Sequence, residues 1–515
     1  MANNNPDANS HKKQRSGLAF FMAKVLKDTK RADPDLQEEP VHDLRTALRR
    51  CRTIAQALSA FDPEKSFRRM RKGSSKLFHR LGELRDTQVM MEWVNKIAPA
   101  NDPLAVGVCQ ELGKKEAVAK FQAAQALKRF DKRAWREWSR ALPKEMRRIP
   151  LGGPVFEHLA LKQWTEARDA HRKALRNPSS KNLHENRIAL KHFRYTVENF
   201  LPTRSDEWGD DLKKVQDLLG EIHDLDVLRE EVENTARKTN STGIGAWRTS
   251  IEQERSKRLS EYWSRTRGRK SVFQQWREGL PSGEDLAEAA RETLRCWASF
   301  RDPDTRHSKH VTALALKLWQ GLSAAGIQPG SSGSLQAASH FAGSDAGDSA
   351  FEDKHPDRIL EAAGMMHEVG RIKKDAGHHK RAFRMIKKLD PPLTWNKDDL
   401  VWTGLVARYH RGAEPSQEHK GFSSLGPSEQ NLVRWLSATL RLADGLDAGH
   451  DGRVENAVVE KSGRVVMIRA EGYTHDAESA GALGEKKHLL ESLCGCPIIV
   501  QPARAALKVM AATAS

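Results

Sequence analysis

Two stretches of this chain place cations at one repeated spacing. His42, Arg45, Arg49 and Arg52 occupy positions 0, +3, +7 and +10 of the first; His184, Arg187, Lys191 and Arg194 occupy the same positions of the second. At about 3.6 residues per turn these four positions share one helix face. Leu48 and Leu190, with Cys51 and Phe193, fall elsewhere on the wheel and can enter a core. A one-sided row of cations, present twice, is chemistry for a long, repeating anion. Arg offers phosphate oxygens a planar fork and Lys a point charge. A second constellation lies downstream: His307, His367-Glu368, His378-His379, His410 and Asp444. Imidazoles and carboxylates in such a set can hold one or two divalent metals. A metal so held acidifies a bound water and polarises a phosphoryl group.

The elements that must position these groups are helical. Residues 17–280 are rich in Ala, Leu, Arg, Glu and Lys at helical spacing. Asp62-Pro63, Asn101-Asp102-Pro103, the Pro150-Leu151-Gly152-Gly153-Pro154 run and Leu201-Pro202 punctuate them. A second pair of segments repeats: Leu81-Gly82-Glu83-Leu84-Arg85-Asp86 matches Leu219-Gly220-Glu221-Ile222-His223-Asp224. The basic rows are offset by 142 residues and these segments by 138. Two matches in the same order argue for an internal duplication, about 17–150 and 151–280. Two hairpins related this way would bring their basic faces together around a pseudo-two-fold axis. Asp86 and Asp224 read as caps or as partners of a buried cation. His42 and His184 admit two roles, phosphate ligand or core residue that orients its neighbours.

Charge separates the chain into two parts. Residues 1–280 hold 56 Lys+Arg against 38 Asp+Glu, and the remainder holds 30 of each, so the first part carries the whole net charge of +18. A strongly basic segment joined to a neutral one implies a polyanionic partner for the first. At 515 residues the chain exceeds a single core and suggests two or three domains. Pro281-Ser282-Gly283 marks the boundary. A helical region follows over 285–450, interrupted by a Gly/Ser/Ala-rich stretch, 326–350, expected as a flexible loop. Residues 451–515 read as a small α+β cap. A hairpin is expected around Lys461-Ser462-Gly463 and a further strand at Pro497 to Val500. Residues 1–16 are polar, expected as a disordered tail, and resemble neither a signal nor a transit peptide. Cys51, Cys109, Cys296, Cys494 and Cys496 form no zinc pattern, and an odd, sparse set suits a reducing compartment. No apolar run approaches the roughly 20 residues that span a bilayer. The expectation is a soluble cytoplasmic protein with no membrane partner and no specified oligomeric state. No helix-turn-helix, zinc-finger or RNA-recognition signature is present, so nucleic acid is not the expected partner.

The duplicated signatures, over about residues 17–280, resemble the CHAD domain, the conserved-histidine α-helical domain that binds inorganic polyphosphate. The resemblance implies a helical bundle with a basic groove. By position that groove contains His42, Arg45, Arg49 and Arg52 from one half and His184, Arg187, Lys191 and Arg194 from the other. Lys76 and Lys214, equivalent at the 138-residue offset, join them with Arg80; Arg68, Arg69, Arg71 and Lys72 are further cations just upstream of Lys76. Polyphosphate has no bases to read, so its binder needs spaced cations and no aromatic stacking platforms.

Later stretches resemble the C-terminal HD-type domain of exopolyphosphatase/guanosine pentaphosphatase proteins. They are His307-Ser308-Lys309-His310-Val311, Ala362 to Gly370, His378-His379-Lys380, Ala407 to Arg411 and Leu440 to Asp447. The likeness extends to about Pro502. The whole is then mainly α: a duplicated helical bundle, an α-helical HD-type domain and the α+β cap. The HD superfamily consists largely of metal-dependent phosphohydrolases. That implies a divalent metal such as Mn2+ or Mg2+ on His307, His367, Glu368 and Asp444, with His367 and Glu368 as the catalytic pair. His379 and His410 would serve a second metal. The chain departs from the family where its defining His-Asp pair is His367-Glu368, and it lacks the actin-like nucleotide fold that carries exopolyphosphatase chemistry. Two readings stay open. One is a phosphohydrolase module acting on polyphosphate or a phosphorylated nucleotide. The other is a non-enzymatic protein that targets or scaffolds polyphosphate granules.

Overall fold

Short-range polar signals start many of the helices. Asp102 accepts from the Leu104 amide at 3.1 Å with Pro103 in the first turn. Asp131 accepts from the amides of Arg133 and Ala134, and Ser179 from that of Asn182. Each satisfies an amide that a helix N-terminus leaves open, and proline there forfeits only an amide that is open anyway. The computed structural model describes residues 17–33, 35–99, 102–240, 243–327, 354–474 and 477–503. The tail 1–16 and residues 328–350 of the expected loop lie outside the described residues. The protein is mainly helical with a small three-stranded sheet. It divides into two compact units, Met1–Ala289 and Ala290–Ser515.

In the first unit the chain runs α1 (Leu18–Arg31), α2 (Glu38–Leu58), α3 (Ser66–Gly73), α4 (Ser75–Ile97), α5 (Pro103–Lys128) and α6 (Lys132–Met146). It continues as α7 (Pro154–Arg176), α8 (Ser180–Phe200), α9 (Pro202–Thr239), α10 (Ile244–Thr266) and α11 (Val272–Glu278); the division between the units falls within α12 (Gly283–Ser299). The packing repeats: α1 on α2 as α7 on α8, and α4 on α5 as α9 on α10. Burial repeats with it. Leu48 and Leu190, Cys51 and Phe193, Ala55 and Val197, and Leu58 and Phe200 are all buried at the 142-residue offset. At the 138-residue offset, Met90 and Leu228 share one apolar cluster with Val94 and Val232, closed by Trp93, Trp247 and Leu104. That cluster joins α4 and α5 to α9 and α10, and α2 packs directly on α8. The basic helices therefore meet because the apolar faces of both hairpins are used up in a common core.

The second unit is built around α18 (Pro427–Leu446), whose residues from Leu432 onward are buried almost all round. Against it pack α13 (Thr305–Ala324), α14 (Pro356–Met366), α16 (Lys397–Arg408) and α19 (Ala477–Cys494). A 3-10 turn, Val369–Ile372, leads to α15 (His378–Ile386), and α17 (Lys420–Ser423) is a single turn. Strands β1 (Asn456–Ser462) and β2 (Val465–Glu471) form an antiparallel hairpin across Gly463, whose φ of 60° suits the turn. Strand β3 (Ile498–Pro502) adds to β2 in parallel. Among the described residues no helix is long and apolar enough to cross a membrane.

Two glycines set close approaches in this unit. A β-carbon at Gly364 would lie 2.6 Å from Thr312 Oγ1, so α14 crosses α13 at short range. One at Gly370 would overlap the His378 carbonyl, so the 3-10 turn lies directly on the start of α15. Gly370→Ala forces that turn away, and a cost of about 1–3 kcal/mol is expected from such overpacking. Thermal unfolding checks it, and an unchanged midpoint would contradict the close approach.

Candidate functional sites

Lys191 is the meeting point of the two basic rows. Its side chain is half-buried on α8 and has no hydrogen-bond or ion-pair partner among the described residues. Burial lowers its pKa and the positive charges of Arg187, Arg49 and Arg45 lower it further, to about 8. Arg49 is depressed in the same way, by burial and then by Arg45, Arg50 and Arg194, against the opposing effect of Tyr195. Its guanidinium lies 5.4 Å from the Tyr195 ring, and Nη2 donates to Thr46 Oγ1 at 3.4 Å. The Nε atoms of Arg45 and Arg49 are buried without a partner. Cations from both repeats thus converge, with too few carboxylates to neutralise them. Such a cluster can receive a multivalent anion.

The Leu-Gly-Glu segments explain how the arginines fit. A β-carbon at Gly82 would sit 3.6 Å from both Nε and Nη2 of Arg45, and one at Gly220 would sit 3.9 Å from Nε of Arg187. Each guanidinium lies over bare glycine backbone on the facing helix. Asp86 Oδ1 accepts from Arg45 at 3.4 Å. Its equivalent, Asp224, is more buried: desolvation raises its pKa, Arg187 and a Trp93 hydrogen bond oppose this, and the charges of Asp86 and Glu221 reinforce it, to about 6.

Four residues expected in the groove are engaged elsewhere. Arg52 Nη1 bonds the Arg71 carbonyl and Ser74 Oγ, at 3.2 Å for the latter, closing the C-terminus of α3. Arg194 Nε contacts Glu198 Oε1 at 2.6 Å, and Glu198 also holds Arg50. Arg80 pairs with Glu83 at 2.6 Å within its own helix, and Lys214 turns to Glu261 on α10 at 2.9 Å. Glu198 stands one turn on from Arg194 in α8, and Glu261 comes from a packing partner, α10, that a row spacing does not announce. Lys76 is exposed on α4. His42 is exposed, with its pKa lowered by partial desolvation and then by Arg85 and Arg49. His184 is half-buried, its ring centroid 4.5 Å from that of His223, with Nδ1 unpartnered. Both histidines flank the cluster; burial first, then Arg187 and Lys191, lower the His184 pKa.

In the second unit the histidines are oriented from behind. His307 Nδ1 bonds Asp447 Oδ2 at 2.7 Å. His367, His410 and His378 direct Nδ1 to the carbonyls of Gly364, Ala407 and Asp375 at 2.6, 2.7 and 3.0 Å. Their Nε2 atoms face a pair of carboxylates, Glu368 buried and Asp444 half-buried. Asp444 Oδ1 lies 3.4 Å from His307 Nε2 and 3.9 Å from His367 Nε2. Glu368 Oε1 lies 3.0, 3.6 and 4.0 Å from Nε2 of His378, His410 and His367. The extra methylene of Glu368 therefore still brings its carboxylate among the rings, while Oε2 takes Arg371 at 2.9 Å. Two ligand sets share His367: His307, His367 and Asp444, and His367, Glu368 and His410. A backside hydrogen bond on each ring is the arrangement metal-ligating histidines use. The Nε2 atoms of His307 and His367 are buried without a hydrogen-bond partner.

The remaining geometry corrects one expectation and adds to the others. His378, not His379, reaches Glu368. The His379 side chain is half-buried beside Gly412, and burial followed by the charges of His378, Lys380, Arg411 and Arg408 lowers its pKa to about 4. Lys486 on α19 contacts Asp444 Oδ2 and donates to the His410 carbonyl at 3.2 Å. Burial lowers the His307 pKa, but the Asp444 and Asp447 carboxylates beside its two ring nitrogens outweigh it and raise the value to about 9. Asp447 was readable in the Asp444-Gly445-Leu446-Asp447 run, three residues after Asp444 on the same chain segment. Lys486 had no local signal, because it reaches the site across the whole hairpin.

Residues 19–233 match the family model described as CHAD domain, and this part of the chain carries that domain. A crystal structure of the CHAD domain from the plant Ricinus communis aligns at 17% identity, covering 52% of this chain and 92% of that one, with a TM-score of 0.34. No curated protein matches the chain.

The Asp224 carboxyl yields a signed pH dependence. Its folded pKa of about 6 stands above the ordinary aspartate value of 3.8, so its contribution to stability is complete below about pH 4 and is lost as pH rises through 6. Asp224→Asn is expected to stabilise the first unit by about 1–3 kcal/mol at pH 8 and to leave it unchanged near pH 4. Denaturant unfolding at the two pH values checks this, and equal effects at both would contradict it.

Proposed function

We propose that the first unit binds inorganic polyphosphate at Arg45, Arg49, Arg187 and Lys191. We further propose that the second is an HD-type, metal-dependent phosphohydrolase module acting on polyphosphate or a phosphorylated nucleotide. The observation that carries the binding reading is Lys191, an unpartnered ammonium within reach of three guanidinia from both repeats. Like charges held this close destabilise the empty site, and a polyanion relieves the repulsion. The acidic, base-free polymer needs only spaced cations, and the planar forks of Arg45, Arg49 and Arg187 suit its oxygens. A cytoplasmic location, with or without polyphosphate granules, belongs to this reading.

For the second unit, the two orphaned and buried Nε2 atoms fit a cation. His307, His367 and Asp444 would hold one divalent ion, and Glu368 with His410 and His378 would extend the site. The imidazole-rich donor set suits Mn2+ better than Mg2+, which prefers oxygen. Bound there, the ion supplies Lewis acidity toward a phosphoryl oxygen and an acidified water. Asp447 and the Gly364, Ala407 and Asp375 carbonyls keep the rings aimed, and Arg371 holds Glu368 in place. Lys486 on Asp444 favours a second reading, in which a built-in ammonium has replaced the cation and the module docks or senses without catalysis.

Three outcomes follow. Arg45→Gln combined with Arg187→Gln is expected to weaken polyphosphate binding about a hundredfold at low salt and flatten the dependence of log K on log[salt] by one to two. Unchanged affinity would place the groove elsewhere. Polyphosphate raises the pKa of Lys191 toward its ordinary value, so binding at pH 8–9 takes up part of a proton, read by calorimetry in buffers of different ionisation enthalpy. Lys191→Met abolishes the uptake; persistence would contradict the assignment. Elemental analysis of purified protein is expected to find stoichiometric metal that His367→Ala loses together with hydrolysis. Absence of metal, and of activity with added Mn2+, would favour the non-enzymatic reading, and full hydrolysis by His367→Ala would overturn the site.

A further inference from the structure

Tyr195 stands one residue past the end of the second basic row on α8. It follows Lys191 by four residues, which at about 100° per residue places it about 40° round the helix and one turn along. Residues so spaced are neighbours on one face. Helical side chains also tilt toward the N-terminus, which brings Tyr195 toward the turn that carries Lys191. Arg49 and Arg50 reach the same ring from α2, their guanidinium carbons 5.4 and 5.3 Å from its centroid, and Arg194 of α8 lies at 6.0 Å. These separations are in the range of cation–π attraction, so the ring gathers guanidinia from both repeats.

The three arginines differ in how they are neutralised. Glu198 holds both Arg50 and Arg194, the latter at 2.6 Å. Arg49 has no carboxylate partner among the described residues, and neither has Lys191. Tyr195 thus stands where a neutralised pair meets the open part of the cluster. A ring that only supported guanidinia would need no hydroxyl. That of Tyr195 makes no hydrogen bond among the described residues, although the residue is 2% exposed. It is not one of the partnerless atoms sealed from solvent, which in this cluster are Nε of Arg45 and Nε of Arg49. The buried Tyr262 is the contrast: its hydroxyl accepts from Asn186 Nδ2 at 2.7 Å and lies 2.7 Å from His171 Nδ1. A hydroxyl held in a nearly buried place without a partner costs free energy unless a ligand completes it. At the 142-residue offset the first repeat has Thr53, so this ring and hydroxyl belong to one side of the groove.

We infer that Tyr195 is a ligand of the anion in the central cluster: its hydroxyl donates to a phosphate oxygen held by Arg49 and Lys191, while its ring keeps Arg49 in place. This rests on the polyphosphate reading above and adds a neutral donor to its cations. Such a donor contributes affinity and direction without releasing counterions, so its share of the binding does not fade with salt.

Tyr195→Phe keeps the ring and removes the hydroxyl alone. In the full-length protein, with tripolyphosphate as the probe, it is expected to lose about tenfold in affinity. It is expected to keep the parent's slope of log K against log[salt], because no charge is removed, and to keep the thermal midpoint. Affinity within about twofold of the parent would overturn the ligand role. So would a loss accompanied by a flatter slope, which would mean that a guanidinium contact was lost and not the hydroxyl. The chain has four tyrosines, so protein labelled with 3-fluorotyrosine gives four fluorine signals, and Tyr195→Phe assigns one of them. Tripolyphosphate is expected to shift that signal saturably, at the affinity that calorimetry reads; a signal that stayed in place would overturn the contact. Arg45→Gln/Arg187→Gln separates this proposal from the reading beneath it. Normal binding by that variant, with loss in Tyr195→Phe, would misplace the cluster and leave Tyr195 as a ligand. Loss in the arginine variant alone would leave the cluster and remove Tyr195 from it.

Discussion

Four like charges brought together from two repeats are the constraint on which the first unit depends. Lys191, Arg187, Arg45 and Arg49 repel one another in a partly desolvated place, and burial first and then these charges hold the Lys191 pKa down to about 8. Asp86 on Arg45 and the Tyr195 ring beside Arg49 offset part of that cost. The rest is met by the apolar cluster that locks α4 and α5 onto α9 and α10, with Met90 opposite Leu228 and Val94 opposite Val232 in the repeat. Glycine at 82 and 220 lets the guanidinia lie on backbone, and the retained carboxylates are few: Asp86 on Arg45, and a protonation-prone Asp224 near Arg187. On the binding reading proposed above, a site strained in this sense would be preorganised for an anion, with its donors partly desolvated beforehand.

The second unit applies the opposite electrostatics. The half-buried carboxylate of Asp444 and the buried one of Glu368 sit among imidazoles whose far nitrogens are fixed by Asp447 and three carbonyls. The free Nε2 atoms and the carboxylate oxygens face one another. Without a cation, the arrangement is balanced by the His307 proton and by Lys486 on Asp444. Under the proposed readings metal and lysine would be alternatives for the same negative charge, and the hydrolase and docking readings differ in which of them Asp444 holds.

Much of this was legible in the sequence because the periodicities were strong. The +3, +7, +10 row fixed which face of α2 and α8 is basic, and the Leu-Gly-Glu match marked the glycines beneath Arg45 and Arg187 before their role was visible. The alternation around Gly463 placed the hairpin. What spacing alone did not reveal was competition from neighbours. Arg52 and Arg194 keep the row's register, yet Ser74 and Glu198 claim them; Lys214 keeps its offset, yet Glu261 turns it away. His378 and His379 are adjacent in sequence and indistinguishable by type. Only the start of α15 against Gly370 decides that His378 meets Glu368. Lys486 is invisible for the same reason: a contact spanning 42 residues has no local pattern.

The central claim is that cations of the two repeats act on one anion. A double-mutant cycle between Arg45→Gln and Lys191→Met, read as tripolyphosphate affinity, tests it most directly. Residues that share a ligand phosphate couple, so the two losses are expected to depart from additivity by about 1 kcal/mol or more. Additive losses, or a loss confined to one repeat, would mean that the rows bind separate anions and that their convergence serves the fold alone.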